Sequence, residues 1–174
     1  MIITTRNDIG NLFNTVFKKG VGVEIGVQNG YNLKQICSQW KGRVLGVDMW
    51  PDESNYETAY EVLTGCDHVL IKGHSVIVAD IIDDESLDWI YIDAGHSYEE
   101  VKADYYAWSP KVRIGGIISF HDYGVNDCIG VKTFIDELMK DNPDMKVNFT
   151  TDDFWNDMEY QTAWFYKSIL HFSV

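Results

Sequence analysis

The 174-residue sequence predicts an α/β protein, a doubly wound and mostly parallel sheet covered by helices, with an antiparallel hairpin at its C-terminal edge. Three observations carry this reading. Short β-branched runs alternate with helical stripes along the chain. The first, fourth and fifth strand runs are almost wholly apolar, as strands covered on both faces must be. The last two runs lie close together and alternate, as the arms of a hairpin do. The length fits one domain, residues 1–174, with an N-terminal helical region over 1–19.

Each element has its own signal. Ile9, Leu12, Phe13, Val16 and Phe17 follow the spacing of a helical stripe, and Lys18, Lys19 and Gly20 supply a stop. The run GVGVEIGV predicts a strand from about Gly20 to Val27. Leu33, Ile36, Cys37 and Trp40 return to helical spacing. Arg43–Met49 reads as the second strand. Tyr56, Ala59, Tyr60 and Leu63 mark a helix that stops near Gly65. His68–Lys72 is the third strand and Leu87–Asp93 the fourth. Ser97 and Glu100 form a capping box, opening a helix that carries Tyr98, Val101, Tyr105 and Trp108 and ends at Pro110. Gly116–His121 is the fifth strand. Val131, Phe134, Ile135 and Leu138 predict a helix ending before Pro143. Met145–Thr150 and Gln161–Lys167 are the closing strands.

Composition narrows the function. Apolar residues at 45% and charged residues at 24% suit a soluble globular domain and exclude a disordered chain. Against 27 acidic residues stand 14 basic ones, a net charge of −13. Such a chain repels phosphate backbones and anionic lipid surfaces, so a nucleic-acid or membrane partner is not expected. No run is long and apolar enough to span a bilayer, and MIITTRNDIGNLF does not read as a secretory signal. Cys37, Cys66 and Cys128 show no metal-ligand spacing and read as buried thiols of a reducing cytoplasm.

Ligands of doubly wound sheets sit at the carboxyl ends of the strands, which selects the residues to weigh. After the first strand, Gly26 and Gly30 bracket a turn that allows close ligand approach and opens a helix N-terminus. After the second stands Asp48, 22 positions beyond Gly26 and suited to the two hydroxyls of a ribose. After the third, Ser75 either caps the next helix or meets a base edge. The fourth strand ends in Asp93-Ala94-Gly95-His96 and the fifth in His121-Asp122-Tyr123. If these strands are neighbours, two carboxylates and two imidazoles converge, and a functional site is expected there.

The stretches VGVEIGVQNGYN, RVLGVDMW, IKGHS, LDWIYIDAGHSYEEVKADYYAW and GGIISFHDYG occur in one order over about Val21–Gly130. With them the chain resembles class I S-adenosylmethionine-dependent methyltransferases, a Rossmann-like class. It is most similar to small macrocin- and mycinamicin-type sugar O-methyltransferases, and more distantly to catechol O-methyltransferase. The resemblance implies S-adenosylmethionine as cofactor. It implies that Glu24, Gly26 and Gly30 form the cofactor turn and that Tyr31 and Asn32 contact its methionine part. By the same resemblance Asp48 holds the ribose, Ser75 lies near the adenine, and His96 is a general base. Asp93, His121 and Asp122 fall where metal-dependent members ligate a divalent cation, with Asp93 also beside the cofactor. His121 departs from that pattern, which uses oxygen ligands. Imidazole suits manganese, iron, nickel or zinc better than magnesium, and His121 is otherwise an oriented hydrogen-bond donor or second base.

The expected activity is O-methylation of a hydroxyl on a sugar or other small molecule in the cytoplasm, with magnesium or manganese as the metal. Loops are left to recognise the acceptor. Trp50, Tyr123, Phe154 and Trp155 either stack on a ring or pack the rim, and a second copy of the chain could supply a lid. Three rival readings are weaker. A nucleic-acid methyltransferase conflicts with the charge and with the absence of Asn-Pro-Pro-aromatic after the fourth strand. A cofactor-binding partner subunit without catalysis conflicts with the presence of His96. A dinucleotide oxidoreductase lacks its Gly-x-Gly-x-x-Gly turn.

Overall fold

In the computed structural model of the chain, residues 3–151, 154–155 and 158–168 are described. A 3₁₀ turn (Arg6–Asp8) leads into α1 (Ile9–Val16), followed by β1 (Val21–Ile25), α2 (Tyr31–Gln39), β2 (Arg43–Asp48) and α3 (Glu53–Val62). Next come β3 (His68–Lys72), α4 (Ser75–Ala79), β4 (Leu87–Ile92), α5 (Tyr98–Trp108), β5 (Val112–Tyr123) and α6 (Ile129–Asp141). The chain closes with β6 (Asn148–Phe149), β7 (Phe154–Trp155), β8 (Met158–Glu159) and β9 (Gln161–Tyr166).

Seven strands form one sheet in the order β3-β2-β1-β4-β5-β9-β6. The pairs from β3 to β5 are parallel, and β9 runs antiparallel to both β5 and β6. The doubly wound reading and its antiparallel C-terminal edge therefore hold. Strand order reverses at β1, which pairs with β2 on one side and β4 on the other. That reversal leaves a crevice above the carboxyl ends of β1 and β4.

Two apolar layers fix the sheet. One holds α5 and α6 through Tyr105, Trp108, Phe134 and Ile135 against Ile90, Ile118 and Phe120. The other holds α1 and α2 through Phe13, Leu33 and Ile36 against Trp89, Tyr91 and Ile117. Phe13 stacks on Trp89 at 4.3 Å, and Gly22 leaves room for that indole, which an added Cβ would meet at 1.9 Å. Every residue of β4 is buried, the physical counterpart of its almost wholly apolar run, and its one charged residue, Asp88, pairs with Arg113 at 2.8 Å. The Ser97–Glu100 capping box forms as the sequence predicts.

Several expectations shift. β5 begins at Val112 rather than Gly116, because an irregular register between Leu87 and Trp89 absorbs Arg113–Gly115. Met145–Thr150 contributes only the two residues of β6 to the sheet. Cys37 and Cys66 are half-buried, and only Cys128 is buried. No helix among the described residues is long and apolar enough to cross a membrane.

Candidate active site

A cavity of about 870 Å³ opens at the carboxyl ends of β1, β2, β4 and β5. Its lining brings together Glu24, Gly26, Tyr31, Asn32, Asp48, Ser75, Asp93, His96, His121 and Asp122. Of the residues picked for cofactor, base and metal only Gly30 is absent from the lining; it precedes α2 as its N-cap at φ 78° and packs against Ala59. Gly26 has φ 89°, and a Cβ there would meet the Asp93 carbonyl oxygen at 2.0 Å. Only glycine lets β1 turn this close to the end of β4.

At the β1 end of the cavity Glu24 is 1% exposed. Burial pushes its carboxyl up to about 8, although the bond from Asn32 Nδ2 to Glu24 Oε1 at 2.6 Å opposes the shift. Its other oxygen, Oε2, is buried without a hydrogen-bond partner, and so are Asn29 Oδ1 and Asn32 Oδ1. All three residues line the cavity. Buried acceptors left unpaired are costly, and such exceptions call for a ligand or water that pairs them. A carboxyl group and two amides at this end of the cavity suit an ammonium group, which has three N–H donors.

Asp48 closes the next part of the wall. Its Oδ2 accepts from the Gln28 amide at 2.9 Å and its Oδ1 from the Trp50 amide at 2.7 Å. Both amides belong to residues with positive φ, 49° and 41°. Asp48 therefore fixes the loops around it, and each oxygen keeps a further lone pair. Ser75 does not cap α4. It is the first residue of that helix, and its hydroxyl donates to the Asp104 carboxylate across to α5. Asp104 lines the cavity while 4% exposed, and burial pushes its carboxyl up against the Ser75 bond.

The ends of β4 and β5 converge as the neighbouring strands require. His96 Nε2 donates to Asp122 Oδ2 at 2.8 Å, and His121 Nδ1 lies 2.7 Å from Asp122 Oδ1 and 3.4 Å from Asp93 Oδ1. Asp122 adopts φ 60°, a strained turn that points its carboxylate between the two rings. Burial pushes the Asp122 carboxyl up, but the bonds from His121 and His96 outweigh it and hold it well below the usual range. The bond to Asp122 raises the His96 pKa above its ordinary 6.5 against partial burial. For His121 burial acts downward, while the bonds to Asp122 and Asp93 lift it to about 9. The contact with Arg6 instead requires a neutral ring. Arg6 Nη1 lies 2.8 Å from His121 Nε2, and a guanidinium can only donate, so this nitrogen accepts and the ring proton sits on Nδ1.

Ligand atoms of Asp93, His121 and Asp122 lie within 4.8 Å of one another, close enough to share one ion. One imidazole and two carboxylates fit a borderline divalent cation better than magnesium. Such an ion would displace the proton between His121 and Asp122, and the Arg6 contact would have to loosen as Nε2 took up that proton.

The family described as "Methyltransferase domain" matches residues 23–123, more than half of the chain, from within β1 to the end of β5. The chain belongs to that family. Solved structures similar to this methyltransferase domain share its class I fold. The O-methyltransferase TomG of Streptomyces achromogenes, in complex with S-adenosylmethionine, has a TM-score of 0.72 at 14% identity, over 94% of this chain and 80% of that one. An O-methyltransferase of Bacillus cereus in complex with S-adenosylhomocysteine has a TM-score of 0.70 at 16% identity, over 96% and 83%. A Clostridium thermocellum protein provisionally named as an rRNA methylase has a TM-score of 0.73 at 18% identity, over 96% and 99%. Among curated proteins, the uncharacterized protein y4gI of Sinorhizobium fredii is 40% identical over 48 residues. That match covers 28% of the methyltransferase domain described here, which spans about 5% of y4gI.

Two of the aromatic residues considered for acceptor stacking are occupied elsewhere. Trp50 is 1% exposed, donates its indole N–H to the Gln28 carbonyl at 2.7 Å and meets Tyr56 edge-on. Tyr123 packs on Phe149 at 4.6 Å and donates its hydroxyl to Asp136. The side chains of Phe154 and Trp155 lie outside the described residues. Arg6, Asn29 and Asp104 all line the cavity and had no local signal in the sequence.

Proposed function

We propose that this methyltransferase binds S-adenosylmethionine in the cavity and methylates a hydroxyl of a sugar or another small molecule, with His96 as the base. The observation that carries the reaction is the His96–Asp122 pair at 2.8 Å on the cavity wall. Asp122 holds the His96 Nε2–H, which leaves Nδ1 with its lone pair as the proton acceptor. That arrangement of carboxylate, imidazole and open nitrogen is the one general-base catalysis requires.

The seat fits the cofactor. The unpaired acceptors of Glu24, Asn29 and Asn32 suit its ammonium, Asp48 suits its ribose, and Ser75 with Asp104 line the wall for its adenine. Bound S-adenosylmethionine supplies an electrophilic methyl group on a sulfonium. The chain's part is to hold the acceptor oxygen in line with that carbon and to remove its proton. Alignment saves the entropy of bringing two molecules together, and His96 Nδ1 takes the proton and later releases it to water. Asp93, His121 and Asp122 are the residues that would hold a divalent cation, whose chemistry would be to lower the pKa of the acceptor hydroxyl.

The similar structure named for rRNA methylation raises the nucleic-acid alternative. Among the described residues the cavity is lined by seven carboxyl groups and a single arginine, which in a chain of net charge −13 argues against a polyanionic acceptor. The test is a methyl-transfer screen with hydroxylated sugars, phenols and RNA, comparing the wild type with His96→Ala. The proposal expects transfer to a hydroxylated small molecule that depends on His96. Transfer to RNA alone, or transfer indifferent to His96, would refute it.

A further inference from the structure

We propose that His96, Asp122 and Cys128 form a second metal site, suited to a thiophilic divalent cation such as zinc, whose occupation takes the base out of service. The site itself stands on the three side chains. Only its inhibitory effect rests on the reading of His96 as the base.

The fold assembles donors that show no ligand-like spacing along the chain. One ligand atom each of His96, Asp122 and Cys128 lies within 4.8 Å of the other two. A 3₁₀ turn over Asn126–Cys128 joins β5 to α6 and carries Cys128 back toward Asp122. In that loop the Val125 amide donates to the Asp122 carbonyl at 3.4 Å, and the Cys128 amide to the Val125 carbonyl at 3.0 Å. Gly130 then lets α6 begin directly against the segment that leads into α5. A Cβ there would meet the His96 carbonyl oxygen at 2.4 Å and the Tyr98 amide nitrogen at 2.3 Å. The start of α6 is thus set against the His96 backbone on one side and Asp122 on the other.

Asp122 divides its two oxygens between two sets of donors. Oδ1 lies 2.7 Å from His121 Nδ1, and Oδ2 lies 2.8 Å from His96 Nε2. The set with Asp93 and His121 holds no sulfur, whereas the set with His96 adds the Cys128 thiol. Thiolate, imidazole and carboxylate are the three donor types zinc takes, while magnesium and manganese favour oxygen. Zinc bonds of about 2.0–2.3 Å set neighbouring donors about 3.5 Å apart, a separation side-chain rotation can reach here. Asp122 and Cys128 are buried, but His96 is exposed and lines the cavity. A cation therefore enters from the His96 side, and three protein donors leave it a fourth position. Binding replaces the thiol proton of Cys128 with the metal. Coordination through His96 Nε2, the nitrogen facing Asp122, moves the ring proton to Nδ1, which then has no lone pair for an acceptor hydroxyl.

The experiment titrates reduced, chelator-free wild type, Cys128→Ser and His96→Ala with zinc, cobalt and manganese chlorides. Calorimetry reads affinity, and cobalt reports a bound thiolate by its near-ultraviolet charge-transfer absorption. Cooperative thermal unfolding certifies that each variant is folded. The wild type should bind zinc and show the cobalt–thiolate band, which Cys128→Ser should lose. Both variants should lose zinc affinity by more than about 100-fold, since a lost ligand costs more than a lost outer-shell partner. Loss of Cys128 should leave any manganese affinity within about twofold of wild type. Unchanged zinc affinity in Cys128→Ser, a cobalt–thiolate band that survives there through Cys37 or Cys66, or no zinc binding by the wild type would overturn the site. With an acceptor found by the screen above, zinc should suppress methyl transfer in the wild type and not in Cys128→Ser. Zinc held through Cys128 with transfer undiminished would overturn the inhibitory role while leaving the methyltransferase reading intact.

Discussion

Ligand binding should expel a proton from Glu24. The carboxyl is fully buried, and that burial lifts its pKa to about 8 in the ligand-free protein. At pH 7 a group of this pKa is protonated in about 0.9 of the molecules, and at pH 9 in about 0.1. An ammonium seated against Glu24 Oε2 favours the ionised form, so binding must drive the proton off. Titration with S-adenosylhomocysteine in buffers of different ionisation enthalpy measures the release. We expect about 0.9 proton per site at pH 7, falling toward about 0.1 at pH 9. Because a proton leaves on binding, affinity should rise with pH and level off above about 8, with a slope near 1.4 kcal/mol per unit below that. Glu24→Gln has no proton to lose and should abolish both effects while weakening binding. Proton release near zero at pH 7, with a ligand that binds the wild type, would show that the ammonium does not sit at Glu24.

The same burial predicts a stability difference. The folded pKa of Glu24 lies above its ordinary 4.5, so the folded protein holds a proton that the unfolded chain has lost. Stability should therefore fall with rising pH between 4.5 and about 8, by roughly 1.4 kcal/mol per unit relative to Glu24→Gln, and urea unfolding of the two proteins across that window measures it. His96→Ala should keep affinity for S-adenosylhomocysteine and lower turnover by about 10²–10⁴-fold, and wild-type turnover in the variant would leave His96 without a catalytic role. The base works only when Nδ1 is unprotonated, so activity should be lost as pH falls through a pKa above 6.5, and Asp122→Asn should move that limb downward in the pH–rate profile. Asp48→Ala should weaken cofactor binding by roughly 1.5–3 kcal/mol, about ten- to a hundredfold, with unchanged affinity arguing against the ribose role. If Asp93, His121 and Asp122 hold a metal, chelation should remove activity and manganese should restore it at least as well as magnesium. Turnover that survives exhaustive chelation would remove the metal from the mechanism.

The strand ends were legible because side-chain chemistry at a β–α junction is local. Asp48, Asp93 and Asp122 each close an apolar run, and the topology carries them to one cavity without further information. The capping box at Ser97 is local in the same way, and it places His96 just outside α5. What escaped is long-range. Arg6 meets His121 across 115 positions, and nothing in its neighbours Thr5 and Asn7 announces that contact. Asp104 sits in YEEVKADYYAW among the buried positions Val101, Tyr105 and Trp108, and only the folded chain shows its carboxylate turned to Ser75 and the cavity. Trp50 misled in the other direction. An aromatic beside a strand end suggests a stacking surface, but its indole is consumed by the Gln28 carbonyl and by Tyr56. The early start of β5 was missed because a Gly-Gly step carries too little periodicity to register, and the five residues of α4 were legible only through Ser75 as a candidate cap.

The most direct test of the account is a crystal structure of the protein grown with saturating S-adenosylhomocysteine. The account predicts the nucleoside between Asp48 and Ser75, the ammonium on Glu24, Asn29 and Asn32, and the sulfur facing the His96–Asp122 pair. A cavity without ligand under those conditions, or a ligand bound away from Glu24 and Asp48, would contradict it.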